Sequence, residues 1–448
     1  MKKEMPDEME ERPAIEHSKD NDSGADNSTT AAGPRFVTEF LEDDTETGEV
    51  LEVSLREMVD FPSTSYATFG IYKYPAKFIP QVPVYVLERY AEDDMTVFDP
   101  FAGCGTTGLV SRLYGLEYEL WDLNPILDLL HRVAIAPPQS YNVDDLINRL
   151  SVHETCYHPE WANFDYWFAE PFKEFLKHVW GSYHEINDTN KKELLAVPLL
   201  KVSRYFSYDD MGRMKLSKSP KSEERVENIL KKNWKALFYS MLKKETTDLL
   251  ERQEEYHTFN PREVDSIIHA GIDSLNYDLG QSKDILVTSP PYMQSQEYMR
   301  QAKMDLFWLG YSDEDVRTLS RKEIPYRDIS ETDIYSETYK RMRRGVQEDH
   351  IQDVYDNYFR GVTMALQRLS EDINSFLFFF VGRPSMRGRP VPIDEILTEH
   401  FTELGWVHKG TLVDTIVSRR MFSYGVNPAT NMKDNRSSRE SLVVLKRN

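Results

Sequence analysis

Apolar positions are almost absent from the first 35 residues, where Glu, Asp, Ser, Asn and Gly predominate. Such a stretch buries too little surface to offset its ordering entropy, and it predicts a disordered tail. Beyond Phe69, short apolar runs alternate with amphipathic stretches. Helices are predicted over 83–90 and 107–114 and strands over 96–98 and 117–121, before Pro137-Pro138 closes the block. Residues 139–262 read as amphipathic helices. Strands are then predicted at Ser266–Ala270, Lys283–Thr288, 374–381 and 441–445, with a mostly helical stretch over 297–371. Strands separated by helices predict an α/β fold: a doubly wound, mostly parallel sheet with a largely helical insertion. The chain divides into an acidic tail (1–50), a first core part (51–138), the insertion (139–262) and a second core part (263–448).

The longest apolar run, 376–381, is strand-sized, far short of the roughly 18 residues of a membrane-spanning helix. The amino terminus turns acidic at once and has no apolar stretch, so no secretory signal is expected. Two cysteines, Cys104 and Cys156, make no disulfide framework, and the chain reads as cytoplasmic, with no membrane partner.

Of the 448 residues, 54 are Lys or Arg and 75 Asp or Glu, a net charge of −21. The distribution changes that picture. Residues 1–50 carry 5 basic against 15 acidic residues, whereas 201–244 carry 12 against 5 and 381–448 carry 11 against 7. A basic island in an acidic chain can form a local phosphate-binding surface, or simply a solvated face. In the first island Arg204, Arg213, Lys215, Lys218 and Lys221 are interleaved with Tyr205 and Phe206, a mix suited to phosphate contact with stacking. In the second, Arg383, Arg387 and Arg389 follow an apolar strand and are either phosphate-backbone contacts or structural arginines. Arg419-Arg420 has the same two readings. His153, Cys156 and His158 lack a fourth ligand, so no metal is expected.

Candidate chemistry begins at Val97-Phe98-Asp99-Pro100-Phe101-Ala102-Gly103-Cys104-Gly105-Thr106-Thr107, a strand entering a glycine turn and then a helix. The glycines allow close approach of a ligand, and the helix start offers free N–H groups to a carboxylate. Asp122 ends the next strand, 17 residues after Gly105, where a carboxylate can accept from ribose hydroxyls. Asp273 is placed to accept an adenine amino group. Each acid alone reads first as a helix cap or turn residue; together, on successive strand ends of one sheet, they outline a nucleoside pocket. The motif Asp284-Ile285-Leu286-Val287-Thr288-Ser289-Pro290-Pro291-Tyr292 sharpens the reading. Its prolines fix φ and remove two donors, leaving a ledge of carbonyl acceptors beside a hydroxyl and an aromatic ring. Such a ledge suits an exocyclic amine and the flat ring that carries it.

Residues 99–107 with 288–292 resemble the amino-methylating DNA methyltransferases that use S-adenosylmethionine. Tyr72-Lys73-Tyr74-Pro75-Ala76-Lys77-Phe78 is similar to the further cofactor motif of that family. The resemblance implies a Rossmann-like methyltransferase core over 61–136 and 263–448. It implies that Asp99, Phe101, Gly103, Gly105 and Thr106 hold the methionine part of the cofactor with Pro75, Lys77 and Phe78. Asp122 would take the ribose, Asp273 the adenine, and Ser289, Pro290, Pro291 and Tyr292 the flipped base. The Ser-Pro-Pro-Tyr form is commonest in members methylating cytosine N4, with adenine N6 as the alternative. Attack from an exocyclic nitrogen needs no cysteine nucleophile, so Cys104 reads as a packing residue. The implied partner is double-stranded DNA, with a separate restriction endonuclease as a further one. The candidate DNA-recognition regions are 139–262 and 293–371. RNA-base methylation and non-catalytic DNA binding are the rival readings.

Overall fold

The computed structural model describes residues 35–36, 48–74, 77–151, 154–213, 215–293, 298–324, 326–346, 348–386, 388–415 and 439–448. The acidic tail expected to be disordered therefore lies almost wholly outside the described residues. In chain order the elements that position the site begin with β1 (Glu49–Val53), α1 (Gln81–Tyr90), β2 (Val97–Asp99), α2 (Thr106–Tyr114), β3 (Tyr118–Asp122) and α3 (Ile126–Ile135). The helices α4 (Glu170–His184), α5 (Thr189–Tyr205) and α6 (Trp234–His257) follow, then β4 (Ser266–Ala270), β5 (Lys283–Thr288) and α7 (Tyr298–Trp308). The chain closes with α8 (Glu337–Arg344), α9 (Asp349–Ser370), β6 (Ile373–Gly382), α10 (Ile393–Glu403), β7 (Val407–Thr415) and β8 (Arg439–Lys446).

These strands form one mixed sheet in the order β1-β7-β8-β6-β5-β2-β3-β4. Only β8 runs antiparallel to its neighbours; every other pair is parallel. From β2 the chain builds outward through β3 and β4, then crosses back to place β5 on the other side of β2. That reversal opens a crevice at the carboxyl ends of β2 and β5, where open α/β sheets accept ligands.

Alternation along the strands feeds two cores, one on each face. Ile285, Val287, Phe378 and Phe380 join one, while Leu286, Leu377, Phe379 and Val381 join the other. Burial on both sides explains why β6 reads as a continuous apolar run. The first face is covered by α1 to α7 and the second by α9 and α10.

The 139–262 segment shares the first core. Gln253 Nε2 on α6 donates to the Val133 carbonyl at 2.8 Å, and Tyr256 OH to the Leu109 carbonyl at 2.9 Å. Phe259 stacks on Phe61 with ring centroids 5.7 Å apart. The segment is thus a helical layer of the molecule's own core.

Two strands escape the sequence pattern. β1 is a half-exposed edge strand whose first residues fall inside the acidic tail's assigned bounds. β7 carries a register irregularity between His408 and Gly410, which breaks its two-residue alternation. Among the described residues no helix is long and apolar enough to cross a membrane.

Candidate active site

Asp99, at the end of β2, is fully buried. Its Oδ1 accepts from the Phe101 N–H at 3.1 Å and from Thr288 Oγ1 at 2.6 Å, and its Oδ2 accepts from Thr107 Oγ1 at 2.6 Å. One carboxylate therefore ties the glycine turn, the start of α2 and the end of β5 together. Burial pushes its pKa up to about 6, against the lowering effect of those hydrogen bonds. Asp99 lies beneath the crevice rather than in it.

Two glycines make the turn possible. Gly103 (φ +59°) lies under the Tyr74 ring, and a Cβ there would be 3.1 Å from the ring edge. Gly105 (φ +81°) is the N-cap of α2, and a Cβ would come 2.9 Å from His131 Nδ1. Gly105 and the buried Thr106 thus shape the turn from behind, while Phe101, Gly103 and Cys104 face the crevice.

Asp122 closes the next wall. Its Oδ2 accepts from the Gly103 N–H at 2.8 Å and its Oδ1 from the Asn124 N–H at 2.7 Å, with Tyr74 OH at 3.4 Å. Burial, offset by these donors, raises its pKa to about 7. Tyr74 and Tyr298 face each other with centroids 6.3 Å apart. Asp273 also lines the crevice, but Arg327 Nη1 sits 2.6 Å from its Oδ2, and the Asn276 side-chain amide donates to the same oxygen. Ser274 Oγ bonds the Pro100 carbonyl at 2.6 Å, fixing this loop against the glycine turn. Lys77 and Phe78 contribute to the lining, and burial lowers the Lys77 pKa. Pro75 lies outside the described residues.

Across the crevice stand Ser289 and Pro291, with Pro290 buried behind them. Among the described residues Ser289 Oγ has no hydrogen-bond partner, so its hydroxyl is available to a ligand. Tyr292 stands beside the lining: its OH donates to Glu440 Oε1 on β8 at 2.6 Å, and its backbone N–H points to Tyr298 OH at 3.4 Å. Glu440 is only 3% exposed. Gly382, at the end of β6, faces the Tyr292 ring.

The candidate DNA contacts fare differently. Arg204 is 8% exposed, lies 3.7 Å from Asp209 and 3.6 Å from Asp305, and donates to the Gln301 carbonyl. It is a buried tie between α5 and α7, out of reach of a phosphate backbone, and Phe206 beside it is fully buried. Lys218 pairs with Glu223 at 3.0 Å and sits over the Tyr208 ring. The exposed Arg213 pairs with Asp210 at 3.3 Å, and Lys215 is half-buried. Arg383 is held by Asp394 at 2.7 Å and Glu395 at 3.0 Å. Arg387, His153 and Arg419-Arg420 lie outside the described residues. Arg327, Glu440 and the cap of residues 322–324 over the crevice were missed, because each comes from far along the chain.

No protein-family model matches this chain. A type II methyltransferase of Kocuria varians, M.MvaI, is 21% identical over 430 residues, covering 86% of this chain and 92% of that protein. The chain is similar to type II methyltransferases. A second, M.BsoBI of Geobacillus stearothermophilus, is 22% identical over 267 residues, 51% of this chain and 50% of that protein. Residues 139–262 make up more than a quarter of the chain, so the first of these methyltransferase matches must include part of the helical layer.

Proposed function

We propose that this protein is an S-adenosylmethionine-dependent DNA methyltransferase with a doubly wound, Rossmann-like core. It modifies the exocyclic amine of a base flipped out of double-stranded DNA, with cytosine N4 favoured over adenine N6. The observation that carries this reading is the shared crevice: the glycine turn after β2 and the Ser289-Pro290-Pro291 ledge after β5 face one another and are joined through Asp99. The likeness to type II methyltransferases along most of the chain supports it. We place the activity in the cytoplasm, with a separate restriction nuclease as partner.

The donor set suits the cofactor. Asp122 and Asp273 offer carboxylate oxygens at two strand ends, and Gly103 leaves the turn without a side chain where the ligand must approach. The free space is narrow, about 90 Å³, so binding requires side chains to give way. Lys77, Met299 and Lys322, all long and unbranched, can do so by rotamer change.

When bound, S-adenosylmethionine supplies a methyl group already activated on a sulfonium. The protein's work is therefore mainly positioning, which can supply on the order of 7–11 kcal/mol. Ser289 Oγ and the Pro290 carbonyl act as acceptors for the amino hydrogens and favour a more tetrahedral, nucleophilic nitrogen. Tyr292 supplies a flat face for the extruded ring, whose unstacking costs a few kcal/mol. Cys104 takes no covalent part.

Nucleoside mass spectrometry on DNA from a methylation-free host tests the reading, with Tyr292→Ala as control. N4-methylcytosine only with the intact protein is expected. N6-methyladenine would keep the mechanism and change the base. Unmodified DNA with methylated RNA would replace the substrate.

A further inference from the structure

Among the described residues the sequence islands leave few free cations near the crevice, since Arg204 is buried and Lys218, Arg213 and Arg383 have acidic partners. A different cluster stands in their place. Helix α8 ends in Arg341, Arg343 and Arg344, all exposed. Arg343 is spent on Asp356 at 2.8 Å, and Lys340 on Glu337 at 2.8 Å. Arg341 donates to the Thr338 hydroxyl at 3.1 Å and, among the described residues, makes no ion-pair contact, with Glu399 as the carboxylate that feels its charge. Arg344 is in ion-pair contact with no carboxylate among the described residues, and neither is Arg389.

Arg389 belongs to a small antiparallel ribbon, Ser385–Met386 with Arg389–Pro390. Its guanidinium lies against the end of α8, 3.1 Å from where a Gly345 Cβ would stand. Between the two elements runs a groove of about 600 Å³, bordered by Arg341, Met342, Met386 and Arg389, with Glu348 as the one carboxylate among its described lining residues. The field at a helix carboxyl end accounts for Arg341 and Arg344 as mild stabilisers. It does not account for Arg389, which arrives from another element.

Both walls of this groove lead back to the crevice. The segment entering α8 includes residues 322–324, which line the crevice, and Arg327, which holds Asp273. The ribbon leaves β6 at Gly382, directly beside the Tyr292 ring. We infer that Arg341, Arg344 and Arg389 form the surface that grips the phosphate backbone of duplex DNA next to the base-holding ledge. Exposed guanidiniums outside ion-pair contact with any described carboxylate present forked donors matched to phosphate oxygens. This inference rests on the proposed DNA methyltransferase function.

Fluorescence anisotropy with a labelled random-sequence duplex, titrated at several salt concentrations, tests it on the full chain. Arg341→Gln/Arg344→Gln/Arg389→Gln should bind on the order of tenfold to a hundredfold more weakly, with the salt slope reduced by about 2–3, near 0.9 per lost phosphate contact. The single Arg344→Gln should lower the slope by about 1, and thermal melting establishes that both variants fold. The corresponding triple Lys variant keeps charge and should recover most of the slope. Wild-type affinity and slope in the triple Gln variant overturn the inference. Host-DNA methylation by the wild type is scored separately. Methylation with unchanged binding in the variant sinks only this surface, whereas an unmodified host genome sinks the functional reading itself.

Discussion

Tyr292 illustrates how a side chain remote in sequence sets the chemistry of the ledge. Its hydroxyl is committed to Glu440, 148 residues away and nearly buried, which ties the ring to β8. Glu440 acts as a positioning residue in the proposed reaction. Glu440→Ala removes that tie to β8, and a displacement near 1 Å can cost about a hundredfold in rate. The expected result is a lower kcat with cofactor affinity little changed, and partial rescue by Glu440→Gln, whose amide oxygen still accepts. Equal losses in kcat and cofactor affinity would instead mark a general collapse of the site. Gly103 is the complementary case. Gly103→Ala puts a methyl group 3.1 Å from Tyr74 at φ +59°, where an L residue costs about 1–2 kcal/mol. A weaker cofactor interaction in calorimetry, with Tyr74 displaced, is the expected outcome; wild-type binding would show that the turn has slack.

At the scale of elements, the crevice depends on β5 and the glycine turn keeping their spacing, and Thr288 is the tie. Thr288→Val keeps the shape and removes a buried hydrogen bond to a carboxylate, worth about 1.5–3 kcal/mol. Thermal melting and cofactor titration should both worsen; loss of stability alone would mean that the crevice tolerates the slip. Lys283–Thr288 was legible because both its faces are buried, which leaves a short apolar run in the sequence. Ser266–Ala270 and Lys283–Thr288 have the predicted limits. Helix α2 and the turn before it followed from their glycines. β7 was illegible because its irregularity at Gly410 breaks the alternation, and β1 because Glu49 and Glu52 interrupt its few, mostly exposed apolar positions. Arg204 misled for a related reason. Local sequence shows a basic residue among aromatics, but its burial depends on Asp305, a hundred residues on, folding over it. The crevice motifs were readable since each is continuous in the chain, whereas Arg327, Glu440 and the α8 groove exist only once distant elements meet.

For the whole molecule, buried titratable groups pull stability in opposite directions with pH. Asp99 and Asp122 are raised by burial to about 6 and about 7 from an ordinary value of 3.8. A carboxyl that binds its proton more tightly when folded contributes fully below about pH 3.8, and that contribution is lost as pH rises through 6 to 7. His131 and His400 are lowered by burial to about 3 and about 4 from 6.5. Their contribution is complete above pH 6.5 and is lost as pH falls toward those values. The two pairs oppose each other across the same window, so the wild-type melting profile should be flat relative to either pair alone. Asp99→Asn exposes the balance, because the amide retains an acceptor for Phe101 and Thr288 while its NH2 can meet the Thr107 hydroxyl. Relative to wild type, the variant should gain about 2–3 kcal/mol between pH 4 and pH 8, because each pH unit separating the folded and unfolded pKa is worth about 1.4 kcal/mol. Denaturant melts at closely spaced pH values measure that difference, and its midpoint should fall between 4 and 6. A stability difference that does not change with pH would mean that Asp99 keeps an ordinary carboxylate pKa, and that the tie beneath the crevice carries no strain from its buried charge.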